Sequence, residues 1–155
     1  MVELPQSYEK SLVNFRNTQY FTTLRIGSHR QELSLIFDTG SPVFWVPTSQ
    51  CADYSCHEAT LYDYSLSSEY KNVSTDPQSL HYGTGTVRGY LSSDTVCLQS
   101  DPPPNETCIR DTLFLSVFST TGLNGMMSDG LVGLSPANDS PLSFIGALYD
   151  QGKID

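Results

Sequence analysis

Of all the segments in this 155-residue chain, Phe37-Asp38-Thr39-Gly40-Ser41 has the strongest claim to chemistry. A carboxylate directly follows an apolar run and is itself followed by Thr, Gly and Ser. Burying an unpaired Asp is costly. The cost falls where neighbouring amides and hydroxyls donate to it: Gly40 permits the tight turn that aims them, and Thr39 and Ser41 carry side-chain donors. A carboxylate held this way can move protons as a general base or acid. The plainer reading is a turn Asp at a strand end. Rival chemistries find less support. Gly83-Thr84-Gly85 with Gly89 has one residue too many for a dinucleotide loop, and strand follows it where a helix is required. The chain has no Gly-x-Ser-x-Gly elbow, and His29, His57 and His81 lie beside no evident nucleophile. No cofactor is expected.

The elements that must position Asp38 are strands. Gln19 to Ile26 and Gln31 to Phe37 are rich in Leu, Ile, Phe, Tyr and Thr, with Gly27-Ser28-His29-Arg30 between them, a hairpin signature. In the second run Leu33, Leu35 and Phe37 alternate with Glu32, Ser34 and Ile36, so the strand starts half exposed and turns apolar on both faces as it reaches Asp38. Val43 to Val46 reads as a short strand ended by Pro47, and residues 48 to 76 as polar loop. Leu80-His81-Tyr82 and Val87 to Leu91, joined through Gly83-Thr84-Gly85-Thr86, form a second predicted hairpin. Three successive prolines at 102 to 104 lack ladder donors and mark an excursion between strands. Strands are predicted again at Thr112 to Phe118 and Gly130 to Leu134. One helix closes the chain, with Ser140-Pro141 as its N-cap and first-turn pair and Leu142, Ile145, Leu148 and Tyr149 at helical spacing. The fold class is mainly β.

Composition narrows the functions further. The length suits about one domain. Eight Lys plus Arg against 17 Asp plus Glu leave a net charge of −9, the wrong sign for a nucleic-acid partner. Only 16% of residues are charged, below the ~25% of an average domain, while Ser and Thr number 21 and 14, which favours strands over exposed helices. No apolar run approaches the ~18 residues of a membrane span. Four cysteines and three sequons, at Asn72, Asn105 and Asn138, fit an oxidising secretory route. Four cysteines allow three pairings, and spacing favours Cys51 with Cys56 and Cys97 with Cys108. A metal site from Cys51, Cys56, His57 and one further ligand is the weaker rival, because the spacing is not C-x₂-C. No metal is expected.

The segment around Asp38 resembles the active-site loop of pepsin-like aspartic proteases, and the likeness extends along the chain. Tyr20-Phe21 and Ile26-Gly27 precede the loop, and Trp45-Val46-Pro47 follows it. Cys51 and Cys56 enclose a small loop, and Tyr82-Gly83-Thr84-Gly85 resembles the flap. Asp129-Gly130-Leu131-Val132-Gly133-Leu134 resembles the apolar stretch whose glycine lies beneath the catalytic loop. The resemblance is to an amino-terminal lobe, over residues 13–155, with residues 1–12 as an N-terminal extension or propeptide remnant. It implies two-layer antiparallel β architecture with a psi-type loop, a flap hairpin and a short C-terminal helix.

The resemblance also assigns roles. Asp38 becomes one member of a catalytic dyad, Thr39 a lock against the equivalent residue of a second lobe, and Ser41 a hydrogen-bond donor to the Asp38 carboxylate. Gly40 lies against the substrate backbone. Tyr82 caps the cleft with its hydroxyl near the Trp45 indole, the Gly83 and Thr84 amides bond an extended peptide, and Ile36, Tyr82 and Leu131 wall an apolar pocket. Departures stand at Pro42 and Val43, at the Gly- and Met-rich stretch 122–128, and at the Cys97 to Cys108 excursion. This sequence contains one Asp-Thr-Gly and no Asp-Ser-Gly, whereas such proteolysis needs two carboxylates. The expected function is therefore half of an acid endopeptidase for polypeptides with apolar residues flanking the scissile bond. Its partner is a carboxy-terminal lobe or a second copy of the chain. A non-catalytic peptide-binding module or truncated isoform is the alternative. The expected setting is the secretory pathway, with the product secreted or delivered to an acidic lysosome or vacuole.

Overall fold

A computed structural model describes residues 9–98, 106–136 and 141–154. Eight strands and one α-helix are present among them: β1 (Val13–Phe15), β2 (Gln19–Ile26), β3 (Gln31–Asp38), β4 (Trp45–Pro47), β5 (Lys71–His81), β6 (Thr86–Leu98), β7 (Thr107–Thr121), β8 (Gly130–Gly133) and α1 (Phe144–Asp150). Their order in the sheet is β1-β2-β3-β8-β4-β7-β6-β5, and β2 also pairs with β6. That extra pairing folds one sheet over on itself, so the two layers are continuous. The sheet is mixed, not wholly antiparallel: β3 runs parallel to β8, and β4 parallel to β7. Parallel neighbours follow from the crossings that bring distant segments beside the end of β3.

Alternation along the strands creates two apolar clusters. Leu24, Ile26, Leu33 and Leu35 point into the larger one with Phe44, Phe114 and Val132, and α1 closes it with Phe144 and Leu148. Phe144 meets Phe37 and Phe44 edge-on, with centroids 6.3 and 5.8 Å apart, a favoured aromatic geometry. Val43, Trp45, Val87, Leu115, Val117 and Leu131 form the smaller cluster, against which Tyr82 and Met126 pack.

Element boundaries differ from expectation in several places, and β1 is not among the expected strands at all. Residues 71–76 belong to β5, because an edge strand is held by backbone ladders and its exposed polar side chains carry no apolar signal. β6 and β7 run well past Leu91 and before Thr112. Their extensions bury Ser92, Ser93, Asp94 and Thr95, and local partners satisfy these polar groups, for instance Tyr70 Oη with Ser92 Oγ at 2.8 Å and the Thr95 amide donating to Asp94 Oδ1 at 2.7 Å. β4 starts at Trp45 and includes Pro47, whose carbonyl accepts from the Tyr62 amide. The cap of α1 is Ser143, whose Oγ accepts from the Gly146 amide at 3.0 Å. Ser140 lies outside the described residues.

Candidate active site

Asp38 is the last residue of β3, where it sits opposite Gly133 of β8. A Cβ at Gly133 would come within 2.4 Å of the Val43 nitrogen and 2.5 Å of the Ser41 carbonyl oxygen. The segment after Asp38 therefore lies directly on this glycine, and no side chain fits between them. Backbone bonds hold the pieces together: the Leu134 amide donates to the Asp38 carbonyl at 2.8 Å and the Ser135 amide to the Ser41 carbonyl at 3.0 Å. The Gly40 amide donates to Asp38 Oδ1 at 2.9 Å, one of the bonds a half-buried carboxylate needs. Thr39 and Gly40 are exposed.

The Ser41 hydroxyl points away from where the resemblance put it. It lies 3.4 Å from the Tyr82 hydroxyl and accepts from the Val43 amide at 3.4 Å, so it links the loop to the hairpin. Trp45, which is buried, donates its indole N–H to Tyr82 Oη at 2.9 Å. With one lone pair taken by that donor, the Tyr82 proton is free to face Ser41. Burial pushes the Tyr82 hydroxyl above its ordinary pKa, and the nearby Asp38 charge adds to this; the Ser41 and Trp45 hydrogen bonds oppose it. The phenol stays neutral at any acidic pH.

Tyr82 stands at the start of the turn between β5 and β6. Its amide donates to the Gly85 carbonyl at 2.7 Å. A Cβ at Gly85 would fall 2.1 Å from the Thr121 carbonyl oxygen, so the hairpin base rests against the end of β7. A cleft of about 450 Å³ opens beneath it, walled by Ile36, Trp45, Tyr82, Thr84, Leu131 and Met126. Asp38 is the one carboxylate among its lining residues. Gly83 faces open space at the turn tip, where a Cβ would meet nothing within 4 Å. A second hollow of about 310 Å³ continues past Leu123 and Met126 towards Cys56 and Ser128.

Gln19 is a contributor that the sequence reading missed. Its side-chain amide donates to the Gly125 carbonyl at 3.1 Å and its oxygen accepts from the Met127 amide at 3.0 Å. It thereby fastens the 122–128 loop to the cleft rim. The two partners are more than 100 residues away in sequence, so nothing local marks the role. Disulfides join Cys51 to Cys56 and Cys97 to Cys108, which removes the thiolates that a Cys51, Cys56 and His57 metal site would require. Asn72 is exposed on β5; Asn105 and Asn138 lie outside the described residues.

The family model of the eukaryotic aspartyl proteases matches residues 19–155. The chain belongs to that family. Among its relatives, a vacuolar aspartic protease of Candida albicans is 35% identical over 145 residues, which is 92% of this chain and 33% of that protein. Vacuolar protease A of Neurospora crassa is 35% identical over 125 residues, 79% of this chain and 30% of that protein. Chymosin of Camelus dromedarius is 38% identical over 96 residues, 62% of this chain and 25% of that protein. The chain thus spans 23–38% of the length of the curated relatives it matches. Among the described residues no helix is long and apolar enough to cross a membrane.

Proposed function

We propose that residues 13–155 form the amino-terminal catalytic lobe of an aspartic endopeptidase, with Asp38 as one of two catalytic carboxylates. The observation that carries this reading is a single carboxylate, Asp38, among the residues lining the cleft beneath the hairpin that bears Tyr82, with the Gly40 amide donating to it. In this mechanism two carboxylates share one proton across a water molecule, because like charges so close do not both ionise. The ionised partner takes a proton from the water as its oxygen attacks the peptide carbonyl carbon. The protonated partner hydrogen-bonds the carbonyl oxygen, which becomes the hydroxyl of a tetrahedral diol. A lone Asp38 fills one role at a time, so the second carboxylate comes from a carboxy-terminal lobe or from a second copy.

Neutral Tyr82, held by Trp45, covers the cleft, and the amides of Gly83 and Thr84 bond an extended peptide as an added strand would. Ile36 and Leu131 favour apolar side chains beside the scissile bond. Thr39, exposed after β3, would contact the second lobe in this reading. The vacuolar relatives support an acidic vacuole- or lysosome-like compartment reached through the secretory pathway. Pairing the chain with a carboxy-terminal lobe is expected to give hydrolysis at acid pH that fades as the second carboxylate loses its proton. Asp38→Asn in that pair should lower turnover by about 10²–10⁴-fold or more. Unchanged turnover in the folded variant would overturn the assignment. Peptide binding without hydrolysis in every pairing would select a binding module instead.

A further inference from the structure

We infer that a tyrosine-lined pocket beside β5 seats the innermost sugar of a glycan carried on Asn72. The pocket has a volume of about 340 Å³ and shares no lining residue with the catalytic cleft. Tyr64, Tyr70 and Tyr90 line it, together with Gln50, Ser116 and Asn72 itself. Every lining side chain is uncharged, which disfavours an ionic ligand and suits a neutral polyol. Its volume is near the lower end of the ~300–1,000 Å³ range of small-ligand sites, the scale of one or two sugar rings.

Backbone register explains how these residues meet. Asn72 pairs with Ser92 across the β5–β6 ladder, and Tyr90 pairs with Ser116 across β6–β7. Side chains two apart share a face of a strand, so Tyr90 and Ser92 project together, and Tyr70, just before β5, reaches Ser92 through its hydroxyl. The wall is built in advance: Tyr70 Oη bonds Ser92 Oγ at 2.8 Å and Ser116 Oγ at 3.2 Å, and its ring stacks on Tyr64 at 4.7 Å. A phenol ring offers an apolar face with a polar rim, which complements the C–H face and hydroxyls of a pyranose. The side-chain amides of Gln50 and Asn72 have no hydrogen-bond partner among the described residues, which leaves Gln50 available to the acetamido group.

Asn72-Val73-Ser74 meets the acceptor rule for N-glycosylation, with no proline at its centre. The two disulfides fit the oxidising compartment in which that modification occurs. Asn72 is exposed on the edge strand, so the linkage is sterically open, and its side chain already forms part of the pocket wall. The occupant is therefore tethered, and binding costs little additional ordering.

The test uses the full chain secreted from a eukaryotic host. Glycopeptide mass spectrometry should find Asn72 occupied, and Asn72→Gln should lose that glycan mass. In the folded chain, the acetamido methyl resonance of the Asn72-linked N-acetylglucosamine should be shifted upfield by the tyrosine rings and return to its free position in urea. Enzymatic release of the glycan under native conditions should be faster from Gln50→Ala, since Gln50 is exposed and has no hydrogen-bond partner among the described residues. An unoccupied Asn72 would overturn the inference. So would an acetamido resonance identical in the folded and unfolded chains.

Discussion

Gly133 and Tyr82 hold the Asp38 loop between them. Beneath the loop, Gly133→Ala would place a methyl group inside the backbone of residues 41–43, and rigid backbone cannot yield as a flexible side chain would. Overpacking of this kind costs about 1–3 kcal/mol, so a lower urea midpoint is expected, together with a displaced Asp38. Above the loop, Tyr82→Phe leaves the buried Trp45 indole N–H without its acceptor, at a cost of about 1–3 kcal/mol. The same hydroxyl makes stability depend on alkaline pH. Burial raises the pKa of Tyr82 and, still more strongly, that of Tyr62, which also donates to buried Asp94. Unfolded tyrosine releases its proton near pH 10, whereas the folded chain retains both. The contribution of these two tyrosines should therefore be fully present below about pH 10 and be lost above it, with a shallower loss in Tyr82→Phe. Urea midpoints at about pH 8 and about pH 11 check this.

Elements near the site were legible in proportion to their apolar content. β2 and β3 show their hairpin and alternation openly, and Asp38 follows from where β3 ends. β5 does not, since Lys71 to Ser79 is largely exposed and polar. The buried extensions of β6 carry Ser92 to Thr95, whose pairing with Tyr70 and with local backbone no linear pattern encodes. At this scale the disulfides make a graded prediction. Cys97–Cys108 closes a separation of 11 residues and Cys51–Cys56 one of 5. Loop-entropy reckoning gives roughly 3 and roughly 2 kcal/mol respectively. Replacing both cysteines of a pair by Ala should cost more for the first, as read from thermal or urea midpoints. Cys97 and Cys108 are also direct partners in the β6–β7 ladder, so the hairpin itself should survive their removal. Ser143→Ala should loosen α1 by about 1 kcal/mol, which amide exchange across residues 146–150 would report.

The molecule as a whole binds early and late parts of its sequence together. Which segments neighbour one another could not be read from periodicity: the placement of β8 between β3 and β4 and the hold of Gln19 on residues 125–127 exist only in three dimensions. The β3–β8 register joins Leu35 to Gly130, a separation of 95 residues. Loops of that length close slowly, and topologies rich in distant pairings fold on the millisecond-to-second scale or slower. Refolding rates should thus be similar with the short disulfides intact or reduced, since neither bridges that gap; stopped-flow tryptophan emission from Trp45 would report it. At about 5–20 residues per second of synthesis, the ribosome takes roughly 5–20 s to travel from Leu35 to Gly130. During that interval the nascent segment bearing Asp38 has no floor to rest on, so its shelter until β8 emerges falls to whatever attends the growing polypeptide.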